Sequence, residues 1–454
     1  MDKLLIKNAD AIVTCDGQDH IYRSWDIVTE GQKISAMGPG LHAPDAQVID
    51  AGGCYVYPGL INTHHHLLQA FSRNIPSIQN SELFDWLMYL YKVWLRVNPE
   101  YIYYSSMTAM GEFVKFGGTT LFDQHFAFPR SSPKEIIDRQ FDAAEEIGLR
   151  FHAGRSCFTR GKSKGGLPPD ELVETTGEVL KDCERLVVKY HDAGEFSKRQ
   201  VALAPCSPFS VDTEIMTESV KLARQLNVRS HTHLCETLDE EKYCLEVYGK
   251  RPLAWAEECG FVGEDVWYAH GIHFTDEEVA FLAGTKTGVS HNPVSNMKLA
   301  SGICKVPLML ELGVPVGLAV DGSGSNDASN LLADLRVCFL LHRLNSSGKA
   351  PGAYDCLKLA TTGGAAVLGR HDIGSLEPGK AADLFMINID KLDVVGATLD
   401  PASYLCTVGY GNYVDTTIVG GRVIYTDGRL QGIDEERIKQ EARKQFETLY
   451  SGEG

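Results

Sequence analysis

Residues 58–66 read PGLINTHHH, an apolar run that leads directly into three consecutive histidines. If this run is a β-strand, alternate side chains share a face, so that His64 and His66 point together and His65 points away. Two imidazoles on one face at the end of a strand provide half of a metal site. The histidines lie inside the chain between apolar segments, which argues against a purification tag. The stretch therefore predicts a metal centre whose other ligands come from elsewhere in the chain.

The composition is that of a globular protein with a full core. Of the 454 residues, 44% are hydrophobic and 23% are charged, and the formal net charge is −17. This acidic balance argues against a nucleic-acid partner and against an anionic membrane surface, and no stretch approaches the ~20 apolar residues of a membrane span. The twelve cysteines form no C-x-x-C pair, which is typical of buried thiols in a reducing cytosol. We expect a cytoplasmic enzyme that acts on a small molecule.

Strand-like and helical runs alternate through the middle of the chain. The candidate strands are residues 54–66, 119–125, 150–157, 201–208, 228–236, 266–273, 288–293 and 315–321, and helical patterns such as 99–116, 213–226 and 240–259 lie between them. Eight such units are the number that closes a (β/α)8 TIM barrel. A doubly wound open sheet is the alternative, because periodicity does not prove closure. No G-x-G-x-x-G or P-loop fingerprint occurs, so a nucleotide-phosphate cradle is not predicted.

The two ends of the chain are predicted to form one small β-sandwich. Short strand-like runs occur near the N-terminus at 4–7, 11–14, 26–29 and 33–36, and near the C-terminus at 382–387 and 416–424. Such strands need a partner sheet to bury their inner faces. The predicted fold is therefore α/β, with residues 1–56 in the sandwich and 57–372 in a metal-dependent barrel. Residues 373–454 complete the sandwich and add a terminal helix.

Residues that can carry chemistry cluster where the predicted strands end. They are His64, His66, His125, His231, His233, Glu236, His270, His273, His291 and Asp321. In a barrel these positions all lie on the C-terminal face, where side chains from separate strands converge. A single histidine at a strand end is more often structural, but a set of this size favours a metal enzyme.

The remaining metal ligands are assigned to His233 and Asp321. His231 is an alternative because it shares a strand face with His233, which is nearer the barrel mouth. Three imidazoles and one carboxylate suit a divalent cation of the zinc, iron or manganese type, which lowers the pKa of bound water towards ~7. The candidates for moving protons and steadying charge are Glu236, His270 and Asp321. The alternative for Glu236 is an exposed acid at a helix start.

Four residues are candidates for binding a substrate ring: Gln69, Trp86, His125 and Arg155. Gln69, three residues beyond His66, offers both a donor and an acceptor. Trp86 offers an apolar face for stacking, or else belongs to the core under a loop. Arg155 is a candidate for binding a ring carbonyl or an anionic lactam, with a structural ion pair as the alternative. His125 fits a ring contact or a supporting role equally well.

These motifs resemble those of the amidohydrolase superfamily, in its aminohydrolase branch of cytosine, guanine, adenosine-type and triazine-acting enzymes. The matching stretches follow the family's order: PGLINTHHH (58–66), HTHLCE (231–236), AH (269–270), HNP (291–293), VDG (320–322) and GSLEPGKAADL (374–384). The resemblance implies a barrel with a flanking β-sandwich and one catalytic metal ion, usually zinc or iron. By position, its ligands are His64, His66, His233 and Asp321. Strand four, VALAPC (201–206), lacks the lysine that carries a bridging carbamate in two-metal relatives.

The resemblance also implies roles for the candidate catalytic residues. Glu236 shuttles protons to the ring nitrogen and to the departing ammonia. Asp321 takes the proton from the attacking water, and His270 stabilises that water and the tetrahedral centre. A homo-oligomer such as a dimer is implied by the resemblance alone.

Several segments look most like bacterial 8-oxoguanine deaminases. They are LFDWL (83–87), GGLPP (165–169), APCSPFSV (204–211), residues 232–241, MKLASGIC (297–304) and DGSGSNDASN (321–330). Guanine deaminases usually carry an arginine on the strand-four loop, where this chain has Cys-Ser-Pro-Phe (206–209), and this argues against guanine. Asp321 favours loss of ammonia over loss of chloride, whereas residues 291–294 (HNPV) depart from the 8-oxoguanine pattern.

We therefore expect a metal-dependent hydrolytic deaminase that converts 8-oxoguanine to urate and ammonia. The alternatives are a pterin such as isoxanthopterin and an s-triazine amino- or chlorohydrolase. A non-catalytic scaffold with the same fold is a remote alternative, because such proteins lose metal ligands and this chain retains all four candidates.

Overall fold

The computed structural model describes residues 3–133 and 135–450. The N-terminal strands are β1 (Lys3–Ala9), β2 (Ala11–Val13), β3 (Ile21–Tyr22), β4 (Trp25–Glu30), β5 (Lys33–Gly38), β6 (Gln47–Asp50) and β7 (Cys54–Pro58). The central strands are β8 (Leu60–Asn62), β9 (Gly118–His125), β10 (Arg150–Arg155), β11 (Arg199–Leu203), β12 (Ser230–Leu234), β13 (Val266–His270), β14 (Gly288–His291) and β15 (Val316–Leu318). The C-terminal strands are β16 (Leu384–Asn388), β17 (Thr416–Val419), β18 (Arg422–Thr426) and β19 (Arg429–Leu430).

The α-helices lie mainly between the central strands and after them. They are α1 (Leu83–Trp94), α2 (Pro99–Lys115), α3 (Ile136–Ile147), α4 (Thr176–Tyr190), α5 (Thr213–Gln225), α6 (Leu238–Tyr248), α7 (Pro252–Glu258), α8 (Asp276–Thr285), α9 (Pro293–Lys298), α10 (Val306–Leu312), α11 (Ser323–Asn326), α12 (Leu331–Ser346), α13 (Ala353–Leu359), α14 (Thr362–Val367), α15 (Tyr404–Thr407) and α16 (Glu435–Tyr450). Within the described ranges, no helix is both long and apolar enough to cross a membrane.

The central sheet has eight strands, and each pairs in parallel with its sequence neighbour, from β8 to β15. At the edges of this sheet, the N–H of Thr63 donates to Leu318 O at 3.3 Å, and that of Asp321 donates to His64 O at 3.2 Å. The first and last strands therefore meet and nearly close a barrel. This order, without a reversal, confirms the predicted (β/α)8 barrel and excludes the doubly wound alternative.

The two chain ends meet in one pair of strands. β16 runs antiparallel to β7, with Phe385 opposite Tyr57, within a seven-stranded sheet of order β19-β18-β17-β16-β7-β2-β3. A four-stranded sheet, β5-β4-β1-β6, completes the layer pair. Ile6, Val56 and Leu384 are buried together between the sheets. The predicted sandwich from both termini is thus confirmed, because each end alone lacks a partner for its apolar face.

The predicted first strand, residues 54–66, is two strands in different sheets. The N–H of Gly59 donates to Asp383 O in the sandwich, whereas the next N–H, of Leu60, donates to Gly117 O beside the barrel, both at 3.0 Å. A Cβ at position 59 would lie 2.2 Å from the side chain of Thr119, so only glycine fits this crossing. A continuous apolar run does not reveal such a change of partner.

The prediction of one continuous helix over 240–259 is also wrong, because the structure has two helices there. α6 ends at Tyr248, Gly249 follows with a φ of +68°, and α7 begins at Pro252. A left-handed glycine ends a helix and a proline favours the first turn of the next one, so the two residues separate the helical run into two.

Candidate metal centre and active site

Five side chains from four strand ends surround one point at the C-terminal end of the barrel. His64 and His66 follow β8, His233 lies on β12, His270 ends β13 and Asp321 follows β15, and all five are buried. Oδ1 of Asp321 lies 3.3 Å from Nε2 of His64 and 3.3 Å from Nε2 of His66. Nε2 of His66 lies 3.2 Å from Nε2 of His233. The structure thus brings together every residue predicted as a metal ligand.

The spacing and chemistry of these atoms fit a divalent metal ion. Ligand atoms of His64, His233, His270 and Asp321 all lie within 4.8 Å of one another. Nε2 of His64 and Oδ1 of Asp321 are buried and have no well-aligned hydrogen-bond partner among the residues that the structure describes. Ligands ~2.1 Å from a tetrahedral zinc ion are ~3.4 Å apart, close to the separations seen here.

Two hydrogen bonds orient the imidazoles of His66 and His233 so that Nε2 faces the centre. Nδ1 of His66 donates to Gln124 O at 2.8 Å, and Nδ1 of His233 donates to Cys206 O at 2.7 Å. A carbonyl oxygen only accepts, so the proton of each neutral ring is on Nδ1 and the Nε2 lone pair is available to a cation.

His231, the alternative ligand, supports His64 instead. Its Nδ1 lies 3.0 Å from Trp267 O, which requires a proton on Nδ1. Its Nε2 therefore accepts from Nδ1 of His64, 2.9 Å away. By this relay His64 also presents an unprotonated Nε2 to the centre. His65 is turned away, as predicted, and its Nε2 lies 2.9 Å from Ser329 Oγ.

Burial keeps the histidines neutral. The pKa values of the two carboxyl groups, Asp321 and Glu236, are shifted in opposite directions. Burial lowers the pKa of His64 and His66, and it lowers the pKa of His233 to about 3. Burial also opposes ionisation of Asp321, but the contact with His64 and the nearby imidazoles outweigh it and hold the pKa of Asp321 well below its usual range. Burial and the charges of Asp321 and Glu240 raise the pKa of Glu236 well above its usual range.

The backbone at the site has unusual geometry. The φ angles of Cys235, His270 and Asp321 are +54°, +72° and +65°, in the left-handed region. Residues with a Cβ pay of order 1 kcal/mol or more for this conformation, and it is concentrated at functional sites. Around Cys235 the turn is held by Glu240, whose carboxylate accepts the N–H groups of Cys235 at 2.8 Å and Glu236 at 2.9 Å.

Glu236 and His270 lie beside the metal ligands. Oε1 of Glu236 is 3.6 Å from Nε2 of His270. Nδ1 of His270 lies 2.8 Å from Oδ1 of Asn296, which directs Nε2 towards Glu236 and the metal ligands. The three residues predicted to be catalytic, Glu236, His270 and Asp321, therefore share one space.

That space is a partly enclosed cavity above the metal ligands. Its lining is mainly apolar and aromatic: Leu83, Trp86, Leu87, Tyr91, Phe126, Phe158, Cys206, Phe209 and Leu299, with His66, Gln69, Ser207, His233, Glu236, His270 and Asp321 as the polar members. One wall is α1, of which the sequence indicated only Trp86 as a ring contact. Leu83, Leu87 and Tyr91 recur at helical spacing with Trp86, and this periodicity is the signal that reveals the whole wall.

Gln69 and Trp86 line the cavity, as predicted. Oε1 of Gln69 accepts the backbone N–H of Gly324 at 3.1 Å. Since a backbone N–H only donates, this contact assigns the oxygen and leaves the amide nitrogen as a donor for the cavity. A Cβ at Gly322 would lie 2.0 Å from Oε1 of Gln69, and one at Gly324 would lie 3.1 Å from the ring of Trp86. The two glycines thus allow the loop after β15 to pack closely against both side chains.

Arg155 and His125, the other two candidates for a ring contact, lie outside the cavity lining, which favours the structural ion pair for Arg155 and the supporting role for His125. Arg155 is buried with two carboxylates: its Nη2 lies 2.9 Å from Glu174 and its Nε lies 2.7 Å from Asp182. Its guanidinium also stacks over Phe128. Nε2 of His125 donates to Ala127 O at 2.9 Å. Both side chains hold the loops behind the pocket wall, because strand ends in a barrel supply structural contacts as well as ligands.

Comparison with known proteins agrees with this geometry. The Amidohydrolase family matches residues 55–424. The chain is 40% identical to the 8-oxoguanine deaminase of Pseudomonas aeruginosa over 454 residues, all of both chains. It is 40% identical over 457 residues to the hydroxydechloroatrazine ethylaminohydrolase of Pseudomonas sp. (strain ADP), covering 97% of this chain and 95% of that protein.

A solved structure shows the same architecture. The atrazine chlorohydrolase from Arthrobacter aurescens TC1 complexed with zinc superposes with a TM-score of 0.94, at 33% identity, over 98% of this chain and 100% of that one. The barrel and its His/Asp centre therefore define a metal-dependent hydrolase. The chain belongs to the amidohydrolase family, as the sequence motifs predicted. Its relatives are named as deaminases and hydrolases, so the protein is an enzyme and the scaffold alternative is not supported.

Proposed function

We propose that the protein is a hydrolytic deaminase of an oxidised amino-purine, with 8-oxoguanine as the first choice and urate and ammonia as the products. The observation that carries this proposal is the cavity that combines aromatic walls with Glu236, His270 and Asp321 at its base. Similarity to an 8-oxoguanine deaminase over the full length supports the choice of ring. The product follows from replacing the exocyclic amino group by oxygen.

In this proposal His64, His66, His233 and Asp321 hold one divalent ion, zinc by preference, since three neutral imidazoles and one carboxylate suit zinc or iron. When bound, the ion supplies Lewis acidity that makes a nucleophile available from water near neutral pH. The zinc in the related chlorohydrolase supports this choice of metal.

The protein's own groups then move the protons. The water oxygen adds to the ring carbon that bears the amino group, and Asp321 accepts the proton that the water loses. Glu236 gives its proton to the adjacent ring nitrogen, and His270 hydrogen-bonds to the new oxygen. The carbon–nitrogen bond breaks as the amino nitrogen gains a proton from Asp321, and ammonia leaves. As ammonia leaves, the new hydroxyl loses its proton to Glu236 and becomes the product carbonyl, while the ring nitrogen keeps the proton it received, so that atoms and charges balance.

The lining of the cavity favours a neutral planar ring. Trp86, Tyr91 and the phenylalanines provide flat apolar surfaces that bury the faces of a heterocycle. The amide nitrogen of Gln69 donates to a ring carbonyl or ring nitrogen at the edge. The described residues that line the cavity include no lysine or arginine, which disfavours a phosphorylated or otherwise anionic substrate.

An amino-substituted s-triazine is the second candidate. The full-length similarity to an ethylaminohydrolase that is also 40% identical favours it, and a triazine is likewise flat, neutral and rich in ring nitrogens. Isoxanthopterin is a third ring of the same shape class.

The test is to load the purified protein with zinc and measure turnover of 8-oxoguanine, guanine, isoxanthopterin and hydroxydechloroatrazine. Ammonia is the product measured for the first three, and ethylamine for the last. We expect the highest kcat/KM for 8-oxoguanine. A higher kcat/KM for hydroxydechloroatrazine would make the triazine, and not the purine, the preferred substrate. No release of ammonia or ethylamine from any of the four would overturn the proposal.

A further inference from the structure

A second group of potential metal ligands lies outside the active site. His291 ends β14, and Cys338 and His342 lie one turn apart on α12. One ligand atom from each lies within 4.8 Å of the others, and all three side chains are fully buried. Nε2 of His291 is 3.2 Å from Nε2 of His342. None of these residues lines the active-site cavity.

Two further thiols adjoin this group. Cys356 on α13 interacts electrostatically with His342, and its thiol is a near neighbour of Cys338 and of Cys406 on α15. Cys356 and Cys406 are fully buried, and all of these cysteines are reduced. Nitrogen and sulfur donors from four separate elements therefore converge in one interior region.

The protein alone does not satisfy the two facing imidazoles. Two neutral rings share only one proton between their Nε2 atoms, and the Nδ1 atoms of His291 and His342 have no hydrogen-bond partner within the described part of the chain. Buried Nδ1 atoms without partners call for ordered water, and only the two facing Nε2 atoms are placed to share an ion. The 3.2 Å separation is close to the ~3.4 Å between two ligands of a tetrahedral zinc ion.

We propose that His291, Cys338 and His342, with Cys356 as the fourth ligand, bind a structural zinc ion in addition to the catalytic ion. Imidazole and thiolate donors together select zinc among the common divalent ions. Binding requires thiolates, so each ligating cysteine releases its proton to solvent and the two thiolates balance the charge of the ion. Four protein ligands leave no position for water, so this ion has no role in hydrolysis.

The site joins the barrel to the helices that follow it. His291 belongs to the end of β14, and the adjacent Asn292 places Nδ2 3.3 Å from Nδ1 of His270. Cys338, His342 and Cys356 belong to α12 and α13. An ion between them ties the strand that supports His270 to two helices, and because the site is buried it is filled as the chain folds.

The experiment is to produce the protein in cobalt-containing medium and record its near-ultraviolet absorption and cobalt content. The catalytic centre offers only nitrogen and oxygen ligands, so a thiolate-to-cobalt charge-transfer band reports the second site alone. We expect this band and a second equivalent of cobalt per chain. In Cys338→Ser and in His342→Gln we expect loss of the band and of the second equivalent.

The matched control is Cys206→Ser, which removes the thiol that lies 3.9 Å from Nδ1 of His233. We expect the band and both equivalents to remain in this variant. A band lost in Cys206→Ser but kept in Cys338→Ser would overturn the proposal, as would wild-type protein with one equivalent of cobalt and no band. Since the wild-type spectrum and stoichiometry decide by themselves, the test holds even where a variant fails to fold.

Discussion

The hydroxyl of Ser295 donates a 2.6 Å hydrogen bond to Oδ2 of Asp321, and this contact leaves Oδ1 to face His64 and His66. Ser325 donates a second hydrogen bond to the same oxygen at 2.9 Å. The two serines thus fix the orientation of the Asp321 carboxylate: they hold Oδ2, and Oδ1 faces the other predicted metal ligands. The sequence motifs predicted Asp321 as a metal ligand but indicated no role for either serine.

Ser295→Ala is expected to lower metal affinity and kcat/KM by ~10–100-fold, the usual effect of losing a group that orients a ligand. The variant leaves Ser325 as the only hydroxyl on Oδ2. Metal titration with a chelator and steady-state kinetics measure the two effects, and Ser295→Thr should restore most of both. The matched control is Ser219→Ala, whose hydroxyl donates to Met216 O on α5. Wild-type metal affinity in Ser295→Ala would contradict the positioning role.

Glu236→Gln is expected to retain the metal and lower kcat by ~10²–10⁴-fold, because an amide has the same shape but does not transfer a proton. Metal analysis and single-turnover kinetics measure the two quantities. Glu241→Gln, on α6 five residues further on and paired with Arg251, is the control and should keep full turnover. Near-normal kcat in Glu236→Gln would show that Glu236 does not transfer the proton.

Gln69→Glu replaces the donor that faces the cavity by an acceptor and keeps an oxygen for the N–H of Gly324. A ring carbonyl then loses its partner, which costs ~1–3 kcal/mol, or about 10–100-fold in kcat/KM. Kinetics with 8-oxoguanine measure the change, and Gln79→Glu on the exposed surface serves as the control. Unchanged kcat/KM in Gln69→Glu would show that the substrate edge lies elsewhere.

Arg155→Met is expected to destabilise the fold by ~3–5 kcal/mol, because it leaves two buried carboxylates, Glu174 and Asp182, without their cation. Urea unfolding measures this free energy. Lys221→Met, which removes an exposed pair with Glu218, should cost no more than ~1 kcal/mol.

The kinetic constants of folded Arg155→Met decide its role. We expect kcat/KM per folded enzyme to stay within a few-fold of wild type. A large rise in KM at unchanged stability would instead show that Arg155 binds the substrate.

Much of the site was predictable because it depends on local order along the chain. His64 and His66 alternate on one strand, and barrel topology alone brings the ends of parallel strands to one face. His233, Glu236, His270 and Asp321 were therefore assignable before their distances were known. The same argument led to Arg155 and His125, whose side chains have partners among loop residues that periodicity does not locate.

The sequence by itself determined the eight strand–helix units, the sandwich strands at both ends and the set of metal-competent residues, since these follow from residue type and spacing. Only the tertiary structure decided the pairings between distant residues. His231 is paired with His64, Ser295 with Asp321 and Gly324 with Gln69 by hydrogen bonds that only the folded structure reveals. The chain also passes from the sandwich to the barrel at Gly59. The tertiary structure also gathered Cys338, Cys356 and His291 from separate elements. The physical reason is that spacing along the chain fixes which face a side chain shares with its neighbours, whereas its partner depends on how separate elements pack.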